Sequence, residues 1–126
     1  MTQVHSLSDL VAGPRAKLFE GTRHGDGVEL SFFITTTPPG GGPPLHVHPE
    51  AEAFLVEEGD AAFTIGEEEL AVSAGHVVMV PPETPHRFEN SGQGTLRIVS
   101  IQPSAEVHQV NVQPGATPRR LPREPG

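Results

Sequence analysis

The sequence has no cysteine, which at once excludes a disulfide framework, a thiolate metal site and a cysteine nucleophile. Tryptophan and tyrosine are absent too, so no tyrosine can serve as a base, and the six phenylalanines are the only large aromatic side chains. Long apolar runs are missing: nothing approaches the ~20 residues needed to span a bilayer. The opening MTQVHSLSDL has neither the basic nor the continuous apolar region of a secretory leader. A soluble, cytoplasmic protein is the expectation. Sustained i, i+3, i+4, i+7 apolar spacing is lacking as well, while Gly and Pro number 14 each. Short strands joined by turns are therefore favoured over helices.

Positive charge is scarce. Eight basic residues face 16 acidic ones, for a formal charge of −8, and Arg119, Arg120 and Arg123 crowd into the C-terminal end. Over residues 1–112, 15 acids face 5 bases, so the body carries −10 and repels phosphate backbones. Neither nucleic acid nor a membrane is an expected partner. A chain of 126 residues suits one domain with a modest core and leaves no room for a separate cofactor domain.

Three regions follow. Residues 1–15 read as an N-terminal arm, in which Ser8-Asp9-Leu10-Val11 can cap a single helical turn before Gly13-Pro14 stops it. Residues 16–112 read as a run of short strands: Ala16–Glu20, Val28–Thr36, Leu45–His48, Ala51–Glu57, Ala61–Ile65, Glu69–Ser73, His76–Val80, His86–Asn90, Thr95–Ile101 and Val107–Val112. Gly25-Asp26-Gly27 supplies a hairpin turn, and alternation in the second strand puts Leu30, Phe32 and Ile34 on one face. The segment PPGGGPP (38–44) can neither ladder nor coil and reads as a loop. About ten evenly spaced short strands suggest a sandwich or barrel. Residues 113–126, with four prolines and little to bury, read as a flexible Pro/Arg-rich tail.

His46, His48, Glu52 and His86 carry the chemistry. Successive strand side chains alternate faces, so His46 and His48 share a side, and Glu52 keeps that parity if the turn at Pro49-Glu50 preserves it. Imidazoles with one carboxylate are a ligand set for borderline divalent metals, and His86 would come from a neighbouring strand. Taken alone, His-x-His is also compatible with a solvated strand face.

The surrounding spacing adds to this. Gly40, His46, His48, Glu52 and Gly59 fit G-x5-H-x-H-x3-E-x6-G, and Gly75, Pro81, His86 and Asn90 fit four of five positions of G-x5-P-x-G-x2-H-x3-N. The chain thus resembles a small single-domain cupin, with quercetinase-like dioxygenases one group to which it is similar. The resemblance implies an antiparallel double-stranded β-helix, that is, an all-β jelly-roll barrel. It further implies one divalent ion, Fe(II) or Mn first and Ni, Co, Zn or Cu as alternatives, held by His46, His48, Glu52 and His86. The cysteine–tyrosine cofactor of some cupin enzymes is excluded by composition.

Glu83 stands where the pattern has glycine, which ordinarily permits a positive φ. Two readings are open: a surface turn that tolerates a β-carbon, or a carboxylate leaning on the site as a catalytic base or gate. Glu52 is the other candidate catalytic carboxylate. Phe32, Phe54, Met79 and Phe88 are the expected pocket residues, the last two flanking His86 in strand order. His5, His24, His76 and His108 read as structural or surface groups, with His108 able to touch a partner subunit. Arg87 alternates away from His86 and reads as outward-facing.

Three functions fit. The first is an oxygenase acting with O2 on a small enolisable or phenolic substrate. The others are a non-redox isomerase, cyclase or lyase, and a non-enzymatic binding module. A homodimer is expected, with the arm and the last strand offering edges for a second chain.

Overall fold

Alternating apolar residues with frequent Gly and Pro give, among the described residues, eleven short strands in two antiparallel sheets. The computed structural model describes residues 2–112; the tail expected over 113–126 lies outside them. The strands are β1 (Val11–Gly13), β2 (Ala16–Glu20), β3 (Ser31–Thr37), β4 (His46–Val47), β5 (Glu52–Glu58), β6 (Asp60–Ile65), β7 (Glu68–Ser73), β8 (His76–Val80), β9 (His86–Asn90), β10 (Leu96–Gln102) and β11 (Val110–Asn111). One sheet runs β1-β2-β3-β10-β5-β8, the other β11-β4-β9-β6-β7. Together they make the expected jelly roll. Phe54, Val56, Phe63, Val78, Val80, Phe88, Leu96 and Ile98 interdigitate between the sheets. At about 1.5–3 kcal/mol for each large apolar side chain removed from water, this layer is the main driving force of the fold.

The arm is more structured than its sequence suggests. Ser6 caps a single 3-10 turn, Leu7–Asp9, through its hydroxyl, and β1 then pairs with β2. The hairpin turn expected at Gly25-Asp26-Gly27 is instead part of a ten-residue connection over 21–30. That connection holds a one-turn helix, Gly21–His24, and is closed by the Gly21 N–H donating to the Leu30 carbonyl at 2.9 Å. Strand β3 consequently starts at Ser31 rather than Val28.

Its facing also differs from the alternation read in the sequence. Ser31 and Thr37 are buried, whereas Phe32 lies on the outer face, stacked on Phe19 with ring centroids 5.0 Å apart. A second aromatic surface, supplied by the neighbouring strand β2, accepts Phe32 and frees the inner face for polar residues. The last strand is also shorter than expected, only Val110–Asn111, paired with β4.

Two turn positions explain the glycine spacing. Gly59 has φ +91, and a β-carbon there would lie 2.4 Å from the Thr95 carbonyl oxygen, so only glycine fits this β5–β6 turn. Glu83 keeps the left-handed backbone of the glycine it replaces, with φ 59. Its β-carbon is accommodated by exposure to solvent, not by a change of backbone.

Candidate metal centre and its cavity

Strand β4 is only two residues long, but it is wedged between β9, through the pair His46–His86, and β11, through Val47–Val110 and His46–Asn111. This brings His46, His48, Glu52 and His86 together, all buried, with their ligand atoms within 4.8 Å of one another. Glu52 opens β5, and its side chain points inward despite the intervening turn at Pro49-Glu50.

Backbone carbonyls orient all three imidazoles. The Nδ1 atoms of His46, His48 and His86 lie 2.8, 2.8 and 2.7 Å from the carbonyl oxygens of Pro44, Glu50 and Thr84. A carbonyl only accepts, so each Nδ1 carries a hydrogen and each Nε2 is the atom that faces the centre. Glu52 Oε1 sits 2.8 Å from His48 Nε2 and 3.1 Å from His86 Nε2. Two lone-pair atoms at such a distance require a proton or a cation between them. Donors bound at about 2.0–2.1 Å to one ion lie about 3 Å apart at adjacent coordination positions, so the residues present fit a divalent metal.

Electrostatics agree. Burial, reinforced by His86, lowers His46 to about 4, so it stands neutral and ready to ligate. Burial opposes charge on Glu52 too, but hydrogen bonds from His48 and His86 outweigh it and lower the carboxyl to about 2. His48 is likewise desolvated, yet the hydrogen bond and charge of Glu52 and the contribution of Glu50 raise it above its ordinary value.

The centre opens on a cavity of about 460 Å³. His46 and Glu52 form one end, Phe33, Phe54 and Phe88 the apolar walls, and Thr35, Thr37 and Ser100 a hydroxyl-bearing side. The β1–β2 turn (Gly13, Pro14, Arg15), the 38–43 loop and Gln109 also line it. Of the four pocket residues expected from the sequence, Phe54 and Phe88 line this cavity. The other two do not. Phe32 faces the other side of β3, and Phe33 takes its place. Met79 is 62% exposed and belongs to a separate outer groove between β7 and β8, because β8 turns Val78 and Val80 inward.

Glu83 is exposed and does not line the cavity; its backbone N–H donates to the His48 carbonyl at 3.0 Å, which braces the ligand loop. Asn90 is also a brace: its amide donates to the carbonyls of Thr37 and Gly94 at 2.9 and 2.8 Å and accepts from the Gly92 N–H. Arg87 is exposed. The sequence reading missed Glu50, which no ligand pattern contains, and the β1–β2 turn and Gln109, which reach the site through tertiary contacts.

The two glycine-bounded motifs thus converge on one buried donor set inside a jelly roll, and the cupin-domain family matches residues 33–102. The chain belongs to the cupin family. This cupin is 34% identical over 74 residues to an uncharacterized protein of Methanocaldococcus jannaschii, a match covering 58% of this chain and 59% of that one. It is 38% identical over 55 residues to the mannose-1-phosphate guanylyltransferase RfbM of Salmonella typhimurium, covering 44% of this chain and 12% of that enzyme. Each match therefore spans less than two thirds of the relative's length. Among solved structures the cupin superposes on an oxalate oxidase with a TM-score of 0.67 at 22% identity, over 80% of this chain and 57% of that one. For the oxalate decarboxylase of Lactobacillus farciminis the TM-score is 0.74 at 20% identity, over 83% and 34%. At such identities the likeness establishes the fold. Among the described residues no helix is long and apolar enough to cross a membrane.

Proposed function

We propose that this cupin is a metal-dependent oxygenase that binds one divalent ion through His46, His48, Glu52 and His86 and acts with O2 on a small enolisable or phenolic substrate. The observation that carries the reading is the opening of a buried three-histidine, one-carboxylate set onto a cavity walled by Phe33, Phe54 and Phe88. A structural metal site would be closed on all sides. Fe(II) or Mn is the proposed ion, with Ni, Co, Zn or Cu as alternatives.

When bound, such an ion supplies Lewis acidity and, for Fe or Mn, a path for electrons between substrate and O2. The chain's own residues do the rest. The phenylalanine walls exclude water and hold an aromatic or enol body, while Thr35, Thr37 and Ser100 offer hydroxyls to its polar edge. Glu52, the carboxylate that lines the cavity, is the proposed acceptor of a substrate hydroxyl proton. Glu83, at the surface, is assigned no step.

The test is metal analysis of protein purified without chelator, followed by oxygen uptake with enolisable and phenolic compounds. Bound metal with uptake supports the proposal, and failure to bind any divalent metal after reconstitution sinks it. Metal-dependent turnover that proceeds equally under nitrogen would favour the non-redox isomerase, cyclase or lyase reading, for which the same cavity serves.

A further inference from the structure

Outside the four ligands, one buried polar atom at the site lacks a partner. Glu50 Oε1 is buried without a hydrogen bond, 3.8 Å from Nδ1 of His48. That Nδ1 already donates to the backbone carbonyl of the same Glu50 at 2.8 Å. The second carboxylate oxygen, Oε2, accepts from Nδ1 of His108 at 3.0 Å, and His108 is half exposed at the surface. A desolvated carboxylate oxygen left unpaired is costly unless a positive charge stands nearby. An imidazole whose Nε2 ligates a cation acquires such charge at its Nδ1–H, and carboxylates placed there fix the ring and raise its basicity as a ligand.

The segment that carries His108 is also what seats the ligand strand. Val110 and Asn111 pair with Val47 and His46, and the Val112 N–H donates to the Leu45 carbonyl at 2.8 Å. On its other side β4 has the single register pair His46–His86. Backbone pairing thus holds His46, while His48, one residue beyond the strand, has no ladder partner and is held by the Glu83 N–H on its carbonyl, the Glu50 carbonyl on its ring and the side chains around it.

We infer that Glu50, clamped by His108, is a positioning residue for the ligand His48, so that the segment 107–112 tunes metal affinity from outside the ligand motif. The inference rests on the metal-centre reading above.

The experiment measures Zn(II) and Co(II) affinity of the full chain by chelator competition, with the visible absorption of the Co(II) form as a second readout. Glu50→Gln keeps the backbone carbonyl and shape but removes the charge; roughly tenfold weaker binding and a shifted Co(II) spectrum are expected. His108→Ala should weaken binding in the same direction, His108→Gln should restore it by donating to Glu50 Oε2, and His108→Ala should add nothing in the Glu50→Gln background. Wild-type affinity in Glu50→Gln, or an undiminished effect of His108→Ala in that background, overturns the inference. If Glu50→Gln does not fold, the contrast between His108→Ala and His108→Gln decides alone: equal affinity in the two overturns it. If the wild type itself binds neither ion, the metal-centre reading fails first, a result distinct from all of these.

Discussion

Replacing Glu52 by Gln should change how the metal-free protein responds to acid, and the structure sets the size of the effect. Glu52 is 3% exposed, and its carboxyl falls from an ordinary 4.5 to about 2 because the hydrogen bonds of His48 and His86 overcome burial. That difference corresponds to about 3 kcal/mol of preference for the ionised form in the folded state. The sign follows from the depression: the contribution is fully present above pH 4.5 and is lost as the pH falls through about 2. His46 adds a separate loss at higher pH, since a group lowered from 6.5 to about 4 must take up a proton against burial as the pH falls through that window. Urea unfolding of chelator-treated protein between pH 7 and 2 separates the two. Wild type and Glu52→Gln should both weaken from pH 6.5 to 4, the variant more steeply because its His48 lacks the carboxylate that offsets burial, after which only the wild type should lose a further ~3 kcal/mol. Parallel curves below pH 4.5 would refute the assignment of Glu52 as a carboxylate held by His48 and His86.

Metal affinity should weaken as the pH drops below neutrality, because His48 holds its proton to a higher pH than a free imidazole and must release it to ligate; titration of Co(II) binding against pH checks this. His86→Ala should abolish metal retention after dialysis while the strand signature in circular dichroism persists, since His86 is held by β4 and β6 from either side. Gly59→Ala should lower stability by about 1–3 kcal/mol in denaturant melts, through a positive φ and a collision with the Thr95 carbonyl. Light scattering should show a homodimer, for which the sheet-edge strands β1 and β11, bearing Val11 and Val110 each 65% exposed, offer pairing edges; a monomer at micromolar concentration would refute it.

The candidate ligand set was legible because its members stand at patterned spacings. His46 and His48 share a face by strand alternation, and Glu52 and His86 sit at motif spacings, on β5 of one sheet and β9 of the other. The glycines at 40, 59 and 75 were legible for a related reason, as all three adopt positive φ. The residues behind the ligands were not legible in the same way. Glu50 meets His108 across 58 positions of sequence, a contact made only once β11 has docked on β4. The same holds for Arg15 and Gln109, which line the cavity from opposite ends of the chain. Met79 misled because a run of four apolar residues, Val77 to Val80, gives no parity of its own. Pairing with β5 decides it, placing Val78 beside Phe54 and Val80 beside Glu52.

Strand β3 shows why one departure from simple patterning marks the site. A half-buried strand ordinarily turns its apolar residues to the core, and on that rule Phe32 and Ile34 belong inside. Here the inward set is Ser31, Phe33, Thr35 and Thr37, three hydroxyls and one ring. Ser31 donates to the Ser104 carbonyl at 2.7 Å, which satisfies a hydroxyl that is fully buried. Thr35 and Thr37 instead reach the cavity, where polar side chains can remain solvated or meet a ligand. The apolar residues find their burial outside the barrel, in the Phe19–Phe32 stack over the β2–β3 ladder. A strand that spends its inward positions on hydroxyls beside a metal-binding donor set departs from the pattern that best fills a core. Such departures are expected where a wall must recognise a polar ligand instead of packing against its neighbours.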